Sequence, residues 1–143
     1  MIAPASIPSS LRRALPYLAA ATTVVVIWLS LGNPPQIGPN WLDFAGSDKL
    51  KHMLAYATLG VLWSASAKTG IDATVAKAVR RPVKLTYVWL ALTLVGALLE
   101  VLQWSFYPGR LFELADMLAN AAGAALGCYL VNRTFPSNST PSS

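Results

Sequence analysis

The sequence predicts an all-α integral membrane protein built as a bundle of four transmembrane helices. Of its 143 residues, 55% are hydrophobic and only 12% are charged, whereas a soluble domain carries roughly 25% charged residues. The chain also contains four apolar runs that approach the roughly 20 residues a helix needs to cross about 30 Å of hydrocarbon. Composition and segment length therefore point to the same fold class.

The composition excludes several other classes of protein. Six acidic and eleven basic residues could not cover the surface that a soluble chain of this length exposes to water. The net charge of +5 would suit nucleic-acid binding, but the apolar content makes a membrane the better explanation of the bases. Cys128 is the only cysteine, so the chain forms neither an internal disulfide nor a thiolate metal cluster. We expect membrane lipids as partners and no nucleic acid.

The first apolar segment covers residues 14–31 and contains no charged residue. Arg12 and Arg13 precede it, and a run of Gly, Asn and Pro from Gly32 to Pro35 ends it. A signal peptide is the alternative, since Ser30 and Gly32 form a small-x-small pattern. The length favours a retained helix, because the apolar core of a signal peptide has about 7 to 15 residues.

Three further segments follow, over residues 50–67, 83–104 and 111–131. A Gly/Pro-rich loop, a basic loop and a short Tyr-Pro-Gly turn separate the four segments in that order. The tail is rich in Pro, Ser, Asn and Thr, a composition typical of disorder. We therefore expect a cytoplasmic N-terminal segment over residues 1–13, a membrane domain over 14–132 and a disordered cytoplasmic tail over 133–143.

The distribution of basic residues predicts the orientation, because cytoplasmic loops are enriched in Lys and Arg. Eight of the eleven bases lie in the N-terminal segment, the second loop and the tail, and Lys49, Lys51 and Arg110 lie on the opposite side. Both termini should thus face the cytoplasm.

Polar residues on three of the segments are expected to converge near the outer side. At 100° per residue, Asp48, His52 and Tyr56 form one stripe on the second segment. Segment three carries Glu100 and Gln103 near its outer end. A second stripe on segment four contains Glu113, Asp116, Asn120, Gly123 and Gly127, with Arg110 at its edge. Because such stripes cannot face lipid, the economical arrangement packs them around one outward-opening site.

Each of these residues also has a structural interpretation. Asp48 and Glu113 suit the positive ends of helix dipoles, and Arg110 could anchor the interface by snorkelling. Asn120 could join helices, and Gly123 with Gly127 forms a small-xxx-small packing contact. For Asp116 we favour a role in a site, since intramembrane acids are functional by default. For His52 we favour proton exchange, because imidazole titrates near neutral pH.

The order and spacing of these motifs resemble those of the VanZ-like family of bacterial membrane proteins. The resemblance covers residues 48–127 and is carried by Asp-Lys-Leu-Lys-His at 48–52, then Tyr56, Leu59-Gly60, Glu100, Gln103, Pro108-Gly109-Arg110, Asp116, Asn120, Gly123 and Gly127. It implies several membrane-spanning helices in the bacterial cell envelope, and we therefore expect a multi-pass protein of the bacterial cytoplasmic (inner) membrane. The family takes its name from a protein associated with teicoplanin resistance, a role that does not carry over to this chain.

The function predicted from these residues is binding of a polar lipid headgroup or cell-envelope precursor at the outward-facing site. Asp48 would orient His52, and these two with Glu100 would carry any catalysis; whether the protein is an enzyme stays open. The predicted ligand-binding residues are Lys49, Tyr56, Gln103, Arg110, Glu113, Asp116 and Asn120.

We predict no cofactor and no metal, although an ion held by Glu100, Glu113 and Asp116 is an alternative. A non-catalytic helix bundle is the second interpretation, and an ion pathway is disfavoured because the acids lie only near one side.

Overall fold

The computed structural model describes residues 8–32, 46–69, 84–106 and 112–135, and their regular secondary structure is entirely α-helical. The four helices are α1 (Ser9–Leu31), α2 (Ser47–Thr69), α3 (Leu85–Phe106) and α4 (Leu114–Thr134). Each coincides with one of the four predicted apolar segments, so the all-helical fold class is confirmed.

The helices alternate in direction along the chain. At one end of the bundle, Leu15 of α1 packs with Ala65 of α2 and Val131 of α4. At the other end, the side-chain amide of Gln103 on α3 donates a hydrogen bond to the carbonyl oxygen of Ser30 on α1. The ends of α1 and α3 therefore lie beside the beginnings of α2 and α4. We call this end of the bundle, where α2 and α4 begin, the site end.

Three of the four helices, α1, α3 and α4, are long and apolar enough to cross a membrane. The sequence predicted four helices that cross the membrane. Helix α2 is less apolar than the other three because its first two turns carry Asp48, Lys49, Lys51 and His52. The position of α2 explains how the fold accommodates this polarity. It packs against each of the other three helices, so part of its surface meets protein instead of lipid.

The closest helix contact joins α2 and α4, which run in the same direction. Glycines line both sides of this contact. A Cβ atom added at Gly60 would lie 2.7 Å from the carbonyl oxygen of Ala124, and one added at Gly127 would lie 2.7 Å from the amide nitrogen of Val61. At Gly123, an added Cβ would collide with the backbone carbonyl of Met53. The two backbones approach this closely because these positions have no side chain.

Small buried clusters fill the space between the helices. Tyr56 and Leu59 of α2 pack with Leu92 of α3 and Ala124 of α4. On α1, the hydroxyl of Thr23 accepts a hydrogen bond of 3.0 Å from the indole nitrogen of Trp63 on α2. Many large apolar side chains on the outer faces of α1, α3 and α4 are exposed, as expected where lipid surrounds a bundle.

Helix boundaries differ from the predicted ones by a few residues at the two ends of the chain. The first helix begins at Ser9 and includes Arg12 and Arg13 in its first turns. The last helix continues through Thr134 and includes Arg133 in its last turn. Arg133 stacks over the ring of Tyr129, one turn earlier, with its guanidinium carbon 5.8 Å from the ring centroid. Residues 136–143 lie outside the described residues.

Candidate functional site

Side chains from three helices meet near the site end. His52 of α2, Glu100 of α3 and Asp116 of α4 each place one nitrogen or oxygen atom within 4.8 Å of the other two. We call these three residues the three-helix cluster. Glu100 is buried, with 4% of its surface exposed, and the other two are partly buried. The structure thus brings together one titratable group from each polar face that the sequence singled out.

The imidazole of His52 has one contact on each ring nitrogen. Its Nδ1 lies 3.0 Å from Oδ1 of Asn120, and its Nε2 lies 3.9 Å from Oδ2 of Asp116. Because an amide oxygen only accepts hydrogen bonds, Nδ1 carries the proton in the first contact. In a neutral ring, Nε2 then directs a lone pair towards the carboxylate of Asp116.

Asn120 thus holds the His52 ring, a role that the sequence analysis assigned to Asp48. The side chain of Asp48 is 74% exposed, and its carboxylate lies 3.5 Å from Nζ of Lys51 on the same helix. The reason is local: Lys51 is three residues along and shares the exposed side of the first turn, whereas His52 turns towards α4. Asp48 therefore lies outside the three-helix cluster.

Lys49 bridges the beginnings of α2 and α4. Its ammonium group forms a short ion pair with Glu113 and lies 3.3 Å from Oδ1 of Asp116, an ion-pair distance without the alignment of a hydrogen bond. Glu113 occupies the N-cap position of α4, and it pairs with Lys49 while its side chain makes no capping hydrogen bond. Lys49 and Glu113 are thus adjacent to the cluster at its exposed edge.

Tyr56 lies deeper in the bundle and reaches towards α3. Only 2% of its surface is exposed, and its hydroxyl has no hydrogen-bond partner within the described part of the chain. A Cβ atom added at Gly96 would lie 3.1 Å from this hydroxyl and 3.0 Å from the side-chain nitrogen of Asn120. Tyr56 and Asn120 therefore meet at Gly96, one helical turn from Glu100.

Gly96 is the residue of this region that sequence reasoning missed. Its spacing was the available signal, because it precedes Glu100 by four residues and shares the same helix face. A glycine at that position leaves room for two polar side chains from neighbouring helices.

The remaining predicted residues lie at different places. Gln103 is buried but contacts α1 through Ser30, so it ties that helix to α3 at the site end. Gly123 and Gly127 lie in the α2–α4 contact. Arg110 falls outside the described residues.

The charges around the cluster are predominantly negative. Glu100, Glu113 and Asp116 face Lys49 and the neutral or protonated His52. Within the described residues, the cluster therefore has more capacity to accept hydrogen bonds or bind a cation than to neutralise an anion. Such a site suits an ammonium group, a hydroxyl group or a metal ion.

An all-helical bundle with apolar outer faces and a polar cluster at one end defines the chain as a helical membrane protein. The profile of the VanZ/LLP1 family matches residues 13–135. The chain belongs to this family, and the match extends beyond the motif-bearing region at 48–127 to include most of α1 and the end of α4. No curated protein and no solved structure matches the chain.

Proposed function

We propose that the protein binds the polar headgroup of a membrane lipid or of a lipid-linked cell-envelope precursor at the three-helix cluster. The observation that carries this proposal is the convergence of His52, Glu100 and Asp116 from three helices whose outer faces are apolar. A lipid has the matching form, since its acyl chains can lie along apolar helix faces while its headgroup reaches polar side chains.

The residues around the cluster suggest how the headgroup would be held. Glu100 and Asp116 would bind an amine, a hydroxyl or a cation, because carboxylates are hydrogen-bond acceptors. Lys49 would face the anionic group, joined by Arg110 of the neighbouring turn. Asn120 fixes the His52 ring beside them. We place the site in the outer leaflet of the bacterial cytoplasmic membrane, in accordance with the distribution of basic residues.

The test is lipid analysis of the purified full-length protein. Wild type, Asp116→Asn and Asp48→Asn would be extracted in a mild detergent, and their bound lipids identified by mass spectrometry. Asp48→Asn is the matched control, since it removes a carboxylate from an exposed position outside the cluster. We expect one headgroup class to be enriched in wild type and control and lost from Asp116→Asn. Identical lipid profiles in all three proteins would contradict the proposal.

A structural helix bundle is the second candidate function. The observation that favours it is the bridge from Lys49 to Glu113 and Asp116, which joins two helices already packed through glycines. On this interpretation the polar side chains fix helix packing or partner choice. His52→Ala and Asp116→Asn distinguish the two candidates. A structural role predicts that both variants lose their folded state, and a binding role predicts folded proteins that lose the lipid.

A further inference from the structure

We propose that His52, Glu100 and Asp116 form a binding site for one divalent transition-metal ion. The inference goes beyond headgroup binding, because the ion is held by the chain's own residues and needs no lipid. The proposed ion lies beside Glu100 and Asp116, at the place where the proposed function puts an amine, a hydroxyl or a cation.

The set of ligand atoms indicates the class of metal. One imidazole nitrogen and two carboxylates are a donor set that suits Zn²⁺ or Mn²⁺, whereas Mg²⁺ and Ca²⁺ prefer oxygen ligands alone. Two carboxylates beside a neutral imidazole also supply the two negative charges that balance a divalent cation.

The His52–Asp116 pair is close to the spacing that such an ion requires, and the ligand atoms of all three residues lie within 4.8 Å of one another. Ligand atoms bound to one tetrahedral zinc ion at about 2.1 Å lie about 3.4 Å from one another. Nε2 of His52 and Oδ2 of Asp116 are 3.9 Å apart, so this pair needs to close by about half an ångström to share an ion. Lys49 lies nearest the other oxygen of Asp116, Oδ1, and leaves Oδ2 directed towards His52.

Asn120 gives His52 the orientation of a metal ligand. A histidine that binds a metal through one nitrogen donates the other N–H to a carboxylate, a carbonyl or water, which fixes the tautomer and the ring. The neutral tautomer of His52 with its proton on Nδ1 meets this condition, because Nδ1 then donates to Oδ1 of Asn120 and the lone pair of Nε2 faces Asp116. Without a cation or a proton between them, that lone pair and the Asp116 carboxylate are two acceptors facing each other.

An independent observation also points to a ligand. The hydroxyl of Tyr56 is buried with no hydrogen-bond partner among residues that the structure describes, and it ends beside Gly96, one turn from Glu100. Buried polar atoms are normally satisfied by protein, by ordered water or by an ion. A hydrated ion in the cluster would bring a water molecule to the Tyr56 hydroxyl.

The first experiment is a titration of the tag-free, full-length protein in detergent with Zn²⁺ alone, after removal of metal by a chelator. We expect saturable binding of one ion per chain by wild type. His52→Ala, Glu100→Gln and Asp116→Asn should each bind at least tenfold more weakly. Asp48→Asn is the control and should bind as wild type does, because its carboxylate is exposed and pairs with Lys51.

The second experiment tests the role of Asn120 and does not remove a ligand. Asn120→Ala should weaken Zn²⁺ binding about 10- to 100-fold, the usual effect of losing such a partner, and Asn120→Asp should restore it because it keeps an acceptor for Nδ1. Absorption of Co²⁺ in place of Zn²⁺ reports coordination directly. The visible Co²⁺ bands should change in His52→Ala and persist in Asn120→Asp.

The results separate this inference from the proposed function. If wild type binds Zn²⁺ and the cluster variants do not, the metal site is supported even where no lipid co-purifies. If a cluster variant does not fold, the Co²⁺ spectra of wild type and of the two Asn120 variants show whether the ion binds at the cluster. Absence of saturable Zn²⁺ binding by wild type, or equal loss in Asp48→Asn and Asp116→Asn, would overturn the metal site, whatever the lipid analysis gives.

Discussion

His52 on α2 and Asn120 on α4 are joined by a side-chain hydrogen bond of 3.0 Å. The bond links the two helices that pack most extensively in the bundle, and it fixes a ring whose other nitrogen faces Asp116. One asparagine therefore contributes to both the helix contact and the geometry of the site.

Removing the Asn120 side chain should destabilise the bundle. Asn120→Ala leaves the partly buried Nδ1–H of His52 without an acceptor, which costs on the order of 1–3 kcal/mol. Thermal unfolding of the metal-free protein in detergent measures this loss. Asn120→Ala in a His52→Ala background is the matched control, because the hydrogen bond is already absent there, and the substitution should cost less than in wild type. Equal losses in the two backgrounds would mean that the hydrogen bond does not contribute.

The glycines between α2 and α4 should not tolerate an added methyl group. Gly123→Ala places a Cβ against the backbone of Met53, so the two helices must separate, at a cost of about 1–3 kcal/mol. The unfolding temperature should fall. Ala125→Leu adds more volume on the same helix at an exposed position and should leave that temperature nearly unchanged. A destabilised Ala125→Leu with an unchanged Gly123→Ala would contradict the packing described above.

Cys128 provides a probe of the same contact. It is buried and lies 3.2 Å from the hydroxyl of Ser64 on α2. We expect the native protein to react slowly with a polar maleimide and the denatured protein to react fast, because the thiol becomes accessible only when α2 and α4 separate. Gly127→Ala should increase the native rate. Rapid labelling of native wild type would show that this region of the bundle opens readily.

Reporter fusions test the orientation. A reporter fused after Ser105 should behave as periplasmic, and one fused at the C-terminal tail should behave as cytoplasmic. A cytoplasmic signal from the Ser105 fusion would mean that the bundle has the opposite orientation, with the three-helix cluster towards the cytoplasm. The cluster's internal geometry does not depend on this result.

The sequence predicted the helices well, because apolar length is a direct physical requirement of spanning a bilayer. The meeting of His52, Glu100 and Asp116 also followed from helical periodicity, which places polar residues on faces that must avoid lipid. The polar residues at the start of α2 were also visible in the sequence. The position of α2 among the other helices was not, because a helical wheel shows which residues share a face and does not show which helix that face contacts.

The contact of Asn120 with His52, where the sequence suggested Asp48, has the same origin. Asp48 and Asn120 both lie on polar stripes compatible with His52, and only the packing of α2 on α4 selects Asn120. The register of these two helices depends on backbone contacts at Gly60, Gly123 and Gly127 that a single-helix pattern does not encode. Gly96 was missed for a related reason, since its importance comes from the side chains of two other helices.

The glycine contact between α2 and α4 has a consequence for the precision of the polar groups. Where two main chains touch, no flexible side chain lies between them to adapt to a sliding motion. The separation of His52 from Asp116 is thereby tied to a contact between two main chains. Changes in bilayer thickness should alter how the pair of helices tilts as a unit before they alter that separation.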